Sequence, residues 1–166
     1  MKIEGKCRLR PQTDEDQSFL RKLYSTTRQA ELAQVDWSEK QKTDFVDMQY
    51  VAQRQHYSQY YPHAEFDIIE LENTPNIPIG RLYLDRRLDE IRIVDIAILP
   101  EYCGQGIGGM FLQKVLAEAE KNEIAVRIHV ENFNPALRLY HRLGFRPIDT
   151  NGVYYLMEWS KSNEKN

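Results

Sequence analysis

A glycine-rich turn between two regular segments constrains this chain more than any other feature. The stretch "EYCGQGIGGMFL" at residues 101–112 holds four glycines in six positions, Gly104, Gly106, Gly108 and Gly109. It follows the β-rich run "IRIVDIAIL" and precedes a segment with helical periodicity. Glycine inside a helix costs about 1 kcal/mol relative to alanine. A strand, a glycine turn and a helix N-terminus together form an anion site, because free backbone N–H groups point at the ligand.

The order of periodic segments predicts one mixed α/β (α+β) domain. A cap at Thr13 and a capping box at Ser38 begin two helices, and Phe45, Met48 and Ala52 are expected on the buried face of the second. The full order, β-α-α-β-β-β-α-β-α-β-β, predicts a mostly antiparallel sheet of seven strands with four helices and one crossover at the glycine turn. At 166 residues, we expect a single domain over 1–160 and a polar tail over 161–166.

Charge and cysteine content argue against several functional classes. The net charge is −3 with both signs interleaved, which disfavours a nucleic-acid or membrane partner. The chain shows no signal-peptide pattern and no apolar run long enough to span a membrane, so a cytoplasmic location is expected. Cys7 and Cys103 are predicted to be free thiols, and the four histidines match no zinc signature, so no metal is expected.

Two phosphate-binding motifs compete for the glycine turn. A P-loop needs Lys-Ser/Thr after its last glycine, whereas Met110 and Phe111 follow Gly109. Residues 104–109 do spell the Rossmann fingerprint G-x-G-x-x-G, and the next strand ends in the acid Glu131. Only 57 residues follow Gly109, however, which is too few for a six-stranded dinucleotide domain. A tight turn that packs its helix closely is the alternative that needs no ligand.

Two sequence blocks resemble the GCN5-related N-acetyltransferases (GNATs). These blocks, "ILPEYCGQGIGGMFLQKVL" and "RIHVENFNPALRLYHRLGF", have matching spacing and fall within residues 91–145. The resemblance implies the GNAT fold, with coenzyme A bound at the glycine turn and its pantetheine arm between splayed fourth and fifth strands. Cys103 departs from the family pattern, which has Arg or Gln there. A thiol at a helix N-terminus can be more reactive than usual, and an inert, partly packed cysteine is the alternative.

The resemblance also implies which residues contact the cofactor. The expected cofactor-binding residues are Ile96, Ala97, Ile98, Cys103, Gly104, Gln105, Gly106, Ile107, Gly108, Gly109 and Asn134. The first three would supply main-chain contacts that pair with the pantetheine and polarise the thioester carbonyl. Asn134 has a competing role as a helix cap before Pro135.

Two catalytic residues are expected. Tyr140 matches the general-acid tyrosine of the family, which protonates the leaving thiolate. Asp95 is the only ionisable residue within "IVDIAIL", and a carboxylate in an apolar strand can have the raised pKa of a general base. A structural aspartate, a water chain, Glu131 and His129 remain alternatives.

The acceptor pocket is expected at the two N-terminal helices and the loop after them. Tyr57, Tyr60 and Tyr61 offer aromatic surface around a small amine, and Arg28 is a candidate for selecting charge. The predicted activity is transfer of an acetyl group from acetyl-CoA to a primary amine of a small molecule or peptide, without a covalent enzyme intermediate. A longer acyl donor, a non-catalytic acyl-CoA sensor and an NAD(P)-binding protein are the alternatives. Dimers are common in the family, which leaves a homodimer open.

Overall fold

Seven strands and four α-helices follow the predicted order over residues 6–161, which are the residues described by the computed structural model. The elements are β1 (Cys7–Pro11), α1 (Gln17–Leu32), α2 (Glu39–Tyr60), β2 (Glu65–Leu71), β3 (Ile77–Arg86), β4 (Glu90–Ile98), α3 (Ile107–Lys121), β5 (Ala125–Glu131), α4 (Leu137–Leu143), β6 (Arg146–Asn151) and β7 (Tyr154–Trp159). Apart from Lys161, the predicted polar tail lies outside the described residues.

The strands form one sheet in the order β1-β2-β3-β4-β5-β7-β6. Every neighbouring pair is antiparallel except β4 and β5, which are parallel and joined by the crossover through α3. This arrangement confirms the predicted mostly antiparallel sheet. The single parallel pair lies in the middle of the sheet, at the predicted glycine turn.

Side chains alternate between two hydrophobic layers on the two faces of the sheet. Ile69 belongs to the layer that packs under α3 and α4 together with Phe111 and Trp159, whereas its neighbour Ile68 packs under α1 and α2. This alternation is the period of two that strands impose. The sheet therefore separates the helix that follows the glycine turn from the two N-terminal helices.

The buried face of α2 differs from the predicted one. Val46 and Tyr50 are buried, whereas Met48 is 62% exposed and Ala52 is also exposed. The prediction assumed that apolar residues mark the buried face of the helix. In the structure, the face of α2 that packs on the sheet continues from Tyr50 to polar residues, because α2 borders a polar cavity. The capping box at its start is confirmed, since Ser38 Oγ accepts from the Gln41 N–H (3.1 Å) and Gln41 Oε1 from the Ser38 N–H (2.9 Å).

An ionic cluster ties β1 to β2 and to the start of α1. The Arg10 guanidinium donates to both oxygens of Asp16 at 2.8 Å and to Glu70 at 2.8 Å, and the Thr13 N–H donates to Asp16 at 2.8 Å. Asp16 and Glu70 are buried. The hydrogen bonds from Arg10 hold the pKa of Asp16 below its ordinary value and outweigh the opposing effect of burial. The ionised form of Asp16 therefore stabilises the fold.

Replacing Asp16 with Asn should lower the free energy of unfolding by about 2 kcal/mol at pH 7, because charge-assisted hydrogen bonds to Arg10 are lost. The stabilisation from a carboxylate with a lowered pKa is complete above its unfolded pKa, about 3.9, and disappears as the pH falls through the folded pKa. The difference between the two proteins should thus narrow below about pH 4. Urea unfolding of both proteins between about pH 3 and pH 7 measures this difference in the free energy of unfolding. Asp14→Asn, an exposed change in the same turn, is the control, and an equal loss in both variants would contradict the assignment.

Candidate active site

The parallel strands β4 and β5 separate after a short paired stretch. Their pairing runs from Glu90 opposite Ala125 to Ile93 opposite Ile128, and β4 then continues to Ile98 without β5 beside it. A β-bulge lies at the point of separation, because Leu84 pairs with Ile93 while the preceding residue of β3 pairs with Asp95, leaving Val94 as the extra residue. Bulges bend a strand and increase its twist. A gap therefore opens between the C-terminal halves of β4 and β5.

The main chain of β4 presents alternate residues to this gap. The Leu99 N–H donates to the Ile79 carbonyl of β3 at 2.8 Å. Because antiparallel pairing alternates along a strand, the backbone of Ala97 also faces β3, whereas the N–H and C=O groups of Ile96 and Ile98 face the gap. The expected main-chain contacts to a ligand thus reduce to Ile96 and Ile98, since β3 already pairs with Ala97.

The contact between β3 and β4 requires a glycine at position 80. A Cβ atom on Gly80 would lie 2.5 Å from the Ala97 carbonyl oxygen, which is a backbone atom that cannot move aside. Glycine therefore allows the close approach that holds the free half of β4 against β3.

The four glycines of the turn divide into two kinds. Gly104 and Gly106 have φ angles of 77° and 85°, a left-handed conformation that other residues rarely adopt. A Cβ on Gly108 or Gly109 would make only ordinary contacts, at 3.5 Å to Ile98 and 3.8 Å to Leu139. The backbone requires the first two glycines, whereas neither the backbone nor packing within the protein requires the second two.

The remaining residues of the turn are placed by local contacts. Cys103 Sγ donates to the Ile98 carbonyl at 3.5 Å, and Gln105 Nε2 to the Glu101 carbonyl at 3.2 Å. Partial burial and the charge of Glu101 raise the pKa of Cys103, which favours the inert, partly packed cysteine over the reactive thiol. Ile107 is only 1% exposed and its side chain lies in the core. Only its main chain is therefore available to contact a ligand.

Tyr140 on α4 is buried, with 4% of its surface exposed, and its ring packs edge-on against Phe145 at 5.6 Å. Burial and the nearby negative charge of Asp95 raise the pKa of its phenol. Within residues 6–161, the Tyr140 hydroxyl has no hydrogen-bond partner. The phenol therefore stays protonated at neutral pH and its proton is free to be donated.

Asp95 forms an ion pair with the buried guanidinium of Arg81, which also donates to Gln53 at 2.9 Å. Its negative charge contributes to the raised pKa of both Tyr57 and Tyr140. The sequence did not predict the pairing with Arg81. The ion pair places a charged carboxylate within electrostatic reach of both the α2 side of the sheet and α4.

The other candidates for the base and for cofactor contact have competing partners. His129 is exposed, lies 3.4 Å from Arg92 and has a lowered pKa, because partial burial and the Arg92 charge disfavour its protonation. Glu131 ends β5. The Asn134 Oδ1 accepts from the Ala136 N–H at 2.9 Å, so this oxygen acts as the predicted cap for the turn that leads into α4.

A cavity of about 150 Å³ lies between α2 and β3. Its lining includes Tyr50, Gln53, Arg54, Tyr57, Arg81 and Tyr83. Sequence reasoning missed Arg81 and Tyr83, although "GRLYLD" alternates these two polar residues with leucines. A period of two places them on one face of β3, and that face is covered by α2.

Of the four predicted acceptor residues, only Tyr57 lines this cavity. Arg28 lies on α1, where its guanidinium binds the Tyr24 hydroxyl at 3.1 Å and Glu31 at 3.0 Å. Tyr60 is 61% exposed and stacks on a histidine, and Tyr61 packs under the guanidinium of an arginine after β3. Tyr61, which follows the end of α2, also packs edge-on against Tyr57 with ring centroids 6.2 Å apart, but neither Tyr60 nor Tyr61 lines the cavity.

Comparisons with known proteins agree with this geometry. The family profile described as an acetyltransferase (GNAT) domain matches residues 62–147, just over half of the chain. The chain belongs to the GNAT acetyltransferase family. The match covers β2 to α4 and so includes the gap, the glycine turn and Tyr140, which confirms the family resemblance read from the sequence.

A curated relative and several solved structures are similar to this GNAT protein. The [ribosomal protein bS18]-alanine N-acetyltransferase of Haemophilus influenzae is 38% identical over 78 residues, which are 46% of this chain and about half (53%) of the relative. The PaiA N-acetyltransferase of Thermoplasma acidophilum in complex with coenzyme A has a TM-score of 0.68 at 21% identity, covering 93% of this chain and 98% of that one.

Spermidine N-acetyltransferase of Vibrio cholerae, in complex with CoA and spermine, has a TM-score of 0.62 at 19% identity and covers 98% of this chain and 99% of that one. At such identities the structural similarity shows the shared fold. It confirms the predicted GNAT fold class over nearly the whole chain.

The described part of this GNAT chain offers neither a metal-binding group nor a membrane-spanning helix. Over residues 6–161, no three or more His, Cys, Asp or Glu side chains form a group that could hold a metal ion. In the same part of the chain, no helix has the length and apolar character needed to cross a membrane. The cytoplasmic location remains a prediction.

The two kinds of glycine should respond differently to alanine. Gly106→Ala forces a side chain into the left-handed region and should lower the free energy of unfolding by about 1 kcal/mol or more. Gly109→Ala should be neutral or stabilising by up to about 1 kcal/mol, because alanine favours the helix. Thermal unfolding of the free proteins measures both. Equal destabilisation of the two variants would show that packing, rather than φ, explains the glycines.

Proposed function

We propose that this protein is an acetyl-CoA-dependent N-acetyltransferase that acts on a primary amine of a small molecule or peptide. The observation that carries the proposal is the gap between β4 and β5, which ends at the glycine turn and has a buried, protonated Tyr140 on the helix that follows β5. Ile98 joins the gap to the turn, since its carbonyl contacts Cys103 and its side chain lies beside Gly108. The names of the relatives support an amine acceptor, because they describe N-acetylation of an alanine of ribosomal protein bS18 and of spermidine.

The residues present fit coenzyme A. The pyrophosphate would bind the free N–H groups at the start of α3, where anions are favoured by the helix dipole. Neither the backbone conformation nor the packing of the free protein requires glycine at positions 108 and 109. Close approach of a ligand to the backbone explains why glycines occupy them. The pantetheine arm would pair with the main chain of Ile96 and Ile98. The same groups are the expected donors to the thioester carbonyl.

Acetyl-CoA supplies the acetyl group as a thioester. The deprotonated amine nitrogen of the acceptor forms a bond to the acetyl carbonyl carbon, and the bond from that carbon to sulfur breaks. Tyr140 would donate its proton to the departing sulfur. Asp95 would accept the proton that the amine loses, directly or through water. Its carboxylate, which is paired with Arg81, can also accept a hydrogen bond from an ammonium group.

Replacing Tyr140 with Phe should lower kcat about a hundredfold, which is the lower end of the rate enhancement that a general acid usually contributes. Stabilisation of the protein by acetyl-CoA in thermal unfolding should be retained, because the ring and its packing on Phe145 remain. Release of free CoA thiol, followed colorimetrically with an amine panel, gives the rate. Since burial raises the pKa of Tyr140, its ionisation should cause no loss of activity between pH 7 and about pH 9.

The exposed Tyr60→Phe on α2 is the matched control and should leave kcat unchanged. An unchanged rate in Tyr140→Phe would remove Tyr140 from the chemical step. Stabilisation by acetyl-CoA without acetylation of any amine would instead favour the acyl-CoA sensor.

A further inference from the structure

The cavity between α2 and β3 has an unusual charge for a site that receives an amine. Two arginines, Arg54 and Arg81, line it together with tyrosines, glutamines, a serine and apolar groups, and its lining contains no carboxylate. An ammonium group is attracted by negative charge, so this lining suits a different part of the acceptor. Two guanidinium groups bind anions, and carboxylates above all.

Arg81 is almost completely buried, with 4% of its side chain exposed. Its Nη2 atom donates to Asp95 and to Gln53, its guanidinium lies over the Tyr83 ring at 4.9 Å, and its Nε is a buried donor without a partner within residues 6–161. A buried arginine with an unused donor is costly unless a further group satisfies it. Its five N–H donors suit planar carboxylates.

Arg54 supplies the uncompensated charge of the cavity. Asp95 neutralises Arg81, whereas Arg54 has neither an ion pair nor a hydrogen bond to any residue of the described part of the chain. The cavity therefore carries one net positive charge at its rim. Such a potential attracts a monoanion and repels a polyamine, which carries two or more ammonium groups.

The size of the cavity limits the acceptor further. Its volume of about 150 Å³ is similar to that of an engineered cavity that holds one benzene molecule. A carboxylate with a few carbon atoms fits this volume, whereas a long chain does not. Asp95 binds Arg81 from the strand that borders the gap, so an amine on the same small molecule has a carboxylate partner at the gap.

We propose that the acceptor is a small amino acid or a similar molecule that carries both an amine and a carboxylate, with the carboxylate held by Arg54 and Arg81 and the amine directed to Asp95. This inference rests on the proposed function and specifies its substrate class. It assigns to Arg54 a role in substrate selection and none in the chemical step.

The test compares amino acids with their own carboxamides, which keep the amine and side chain but lack the negative charge. The twenty common amino acids, their carboxamides and spermidine are assayed with acetyl-CoA by release of the CoA thiol, using the full chain. At least one amino acid should have a kcat/KM ten- to a hundredfold above that of its carboxamide, as expected for a charge-assisted contact. Arg54→Gln should remove most of this preference, because it lowers kcat/KM for the amino acid more than for its carboxamide.

Arg54→Lys should restore part of the preference, because it restores the charge. Lys42→Gln removes a positive charge from the same helix outside the cavity and should leave the preference intact. Equal or faster acetylation of the carboxamides, acetylation of spermidine alone, or equal effects of Arg54→Gln on both members of a pair would overturn the inference while the proposed function stands. Absence of both acetyl-CoA binding and turnover would overturn the proposed function and this inference together.

Discussion

The parting of two parallel strands is the constraint on which the rest of this structure depends. Parallel strands normally continue side by side and satisfy each other's backbone groups. Here the pairing of β4 with β5 ends at the bulge at Val94. Because Gly80 has no Cβ atom, the remainder of β4 can stay close to β3. The backbone groups of Ile96 and Ile98 are thereby left facing a gap. An extended ligand can pair with them as an additional strand would.

One ion pair joins two neighbouring strands beside this gap. Asp95 belongs to β4 and binds Arg81 of β3 across the strands, and Arg81 in turn lines the cavity under α2. The charge of Asp95 also acts on Tyr140, whose helix packs on the opposite face. A single carboxylate is thus bound to an arginine of the proposed acceptor cavity and also acts electrostatically on the proposed general acid. Removing it would leave the Arg81 charge buried and unpaired, which is costly.

The sequence predicted the parts of this site that depend on local patterns. The element order, the capping box at Ser38 and the glycine turn follow from short-range rules on capping, periodicity and backbone conformation, and the structure agrees with them. The two-block motif predicted the family, because its spacing reflects the crossover from β4 to β5 and the helix α4 that follows it. Tyr140 is buried on α4, although its catalytic role is still a prediction.

The parts that the sequence could not predict depend on register between distant segments. The pairing of Arg81 with Asp95 requires the bulge at Val94, and no local signal marks that bulge. The face of α2 was predicted wrongly at Met48 and Ala52, because the usual rule assumes an apolar partner surface and α2 covers a polar cavity. Arg28 was predicted to line the pocket, but α1 reaches the cavity through Leu20, about two turns before Arg28.

Residue-resolved amide hydrogen exchange of β4, with and without acetyl-CoA, tests the central claim most directly. The account predicts that the amides of Ile96 and Ile98 exchange rapidly in the free protein and become protected at least tenfold by acetyl-CoA but not by NADH. The amide of Ala97, already paired with β3, should be protected throughout. Unchanged exchange at Ile96 and Ile98 under saturating acetyl-CoA, or protection by NADH instead, would contradict the claim that the gap between β4 and β5 receives the pantetheine arm.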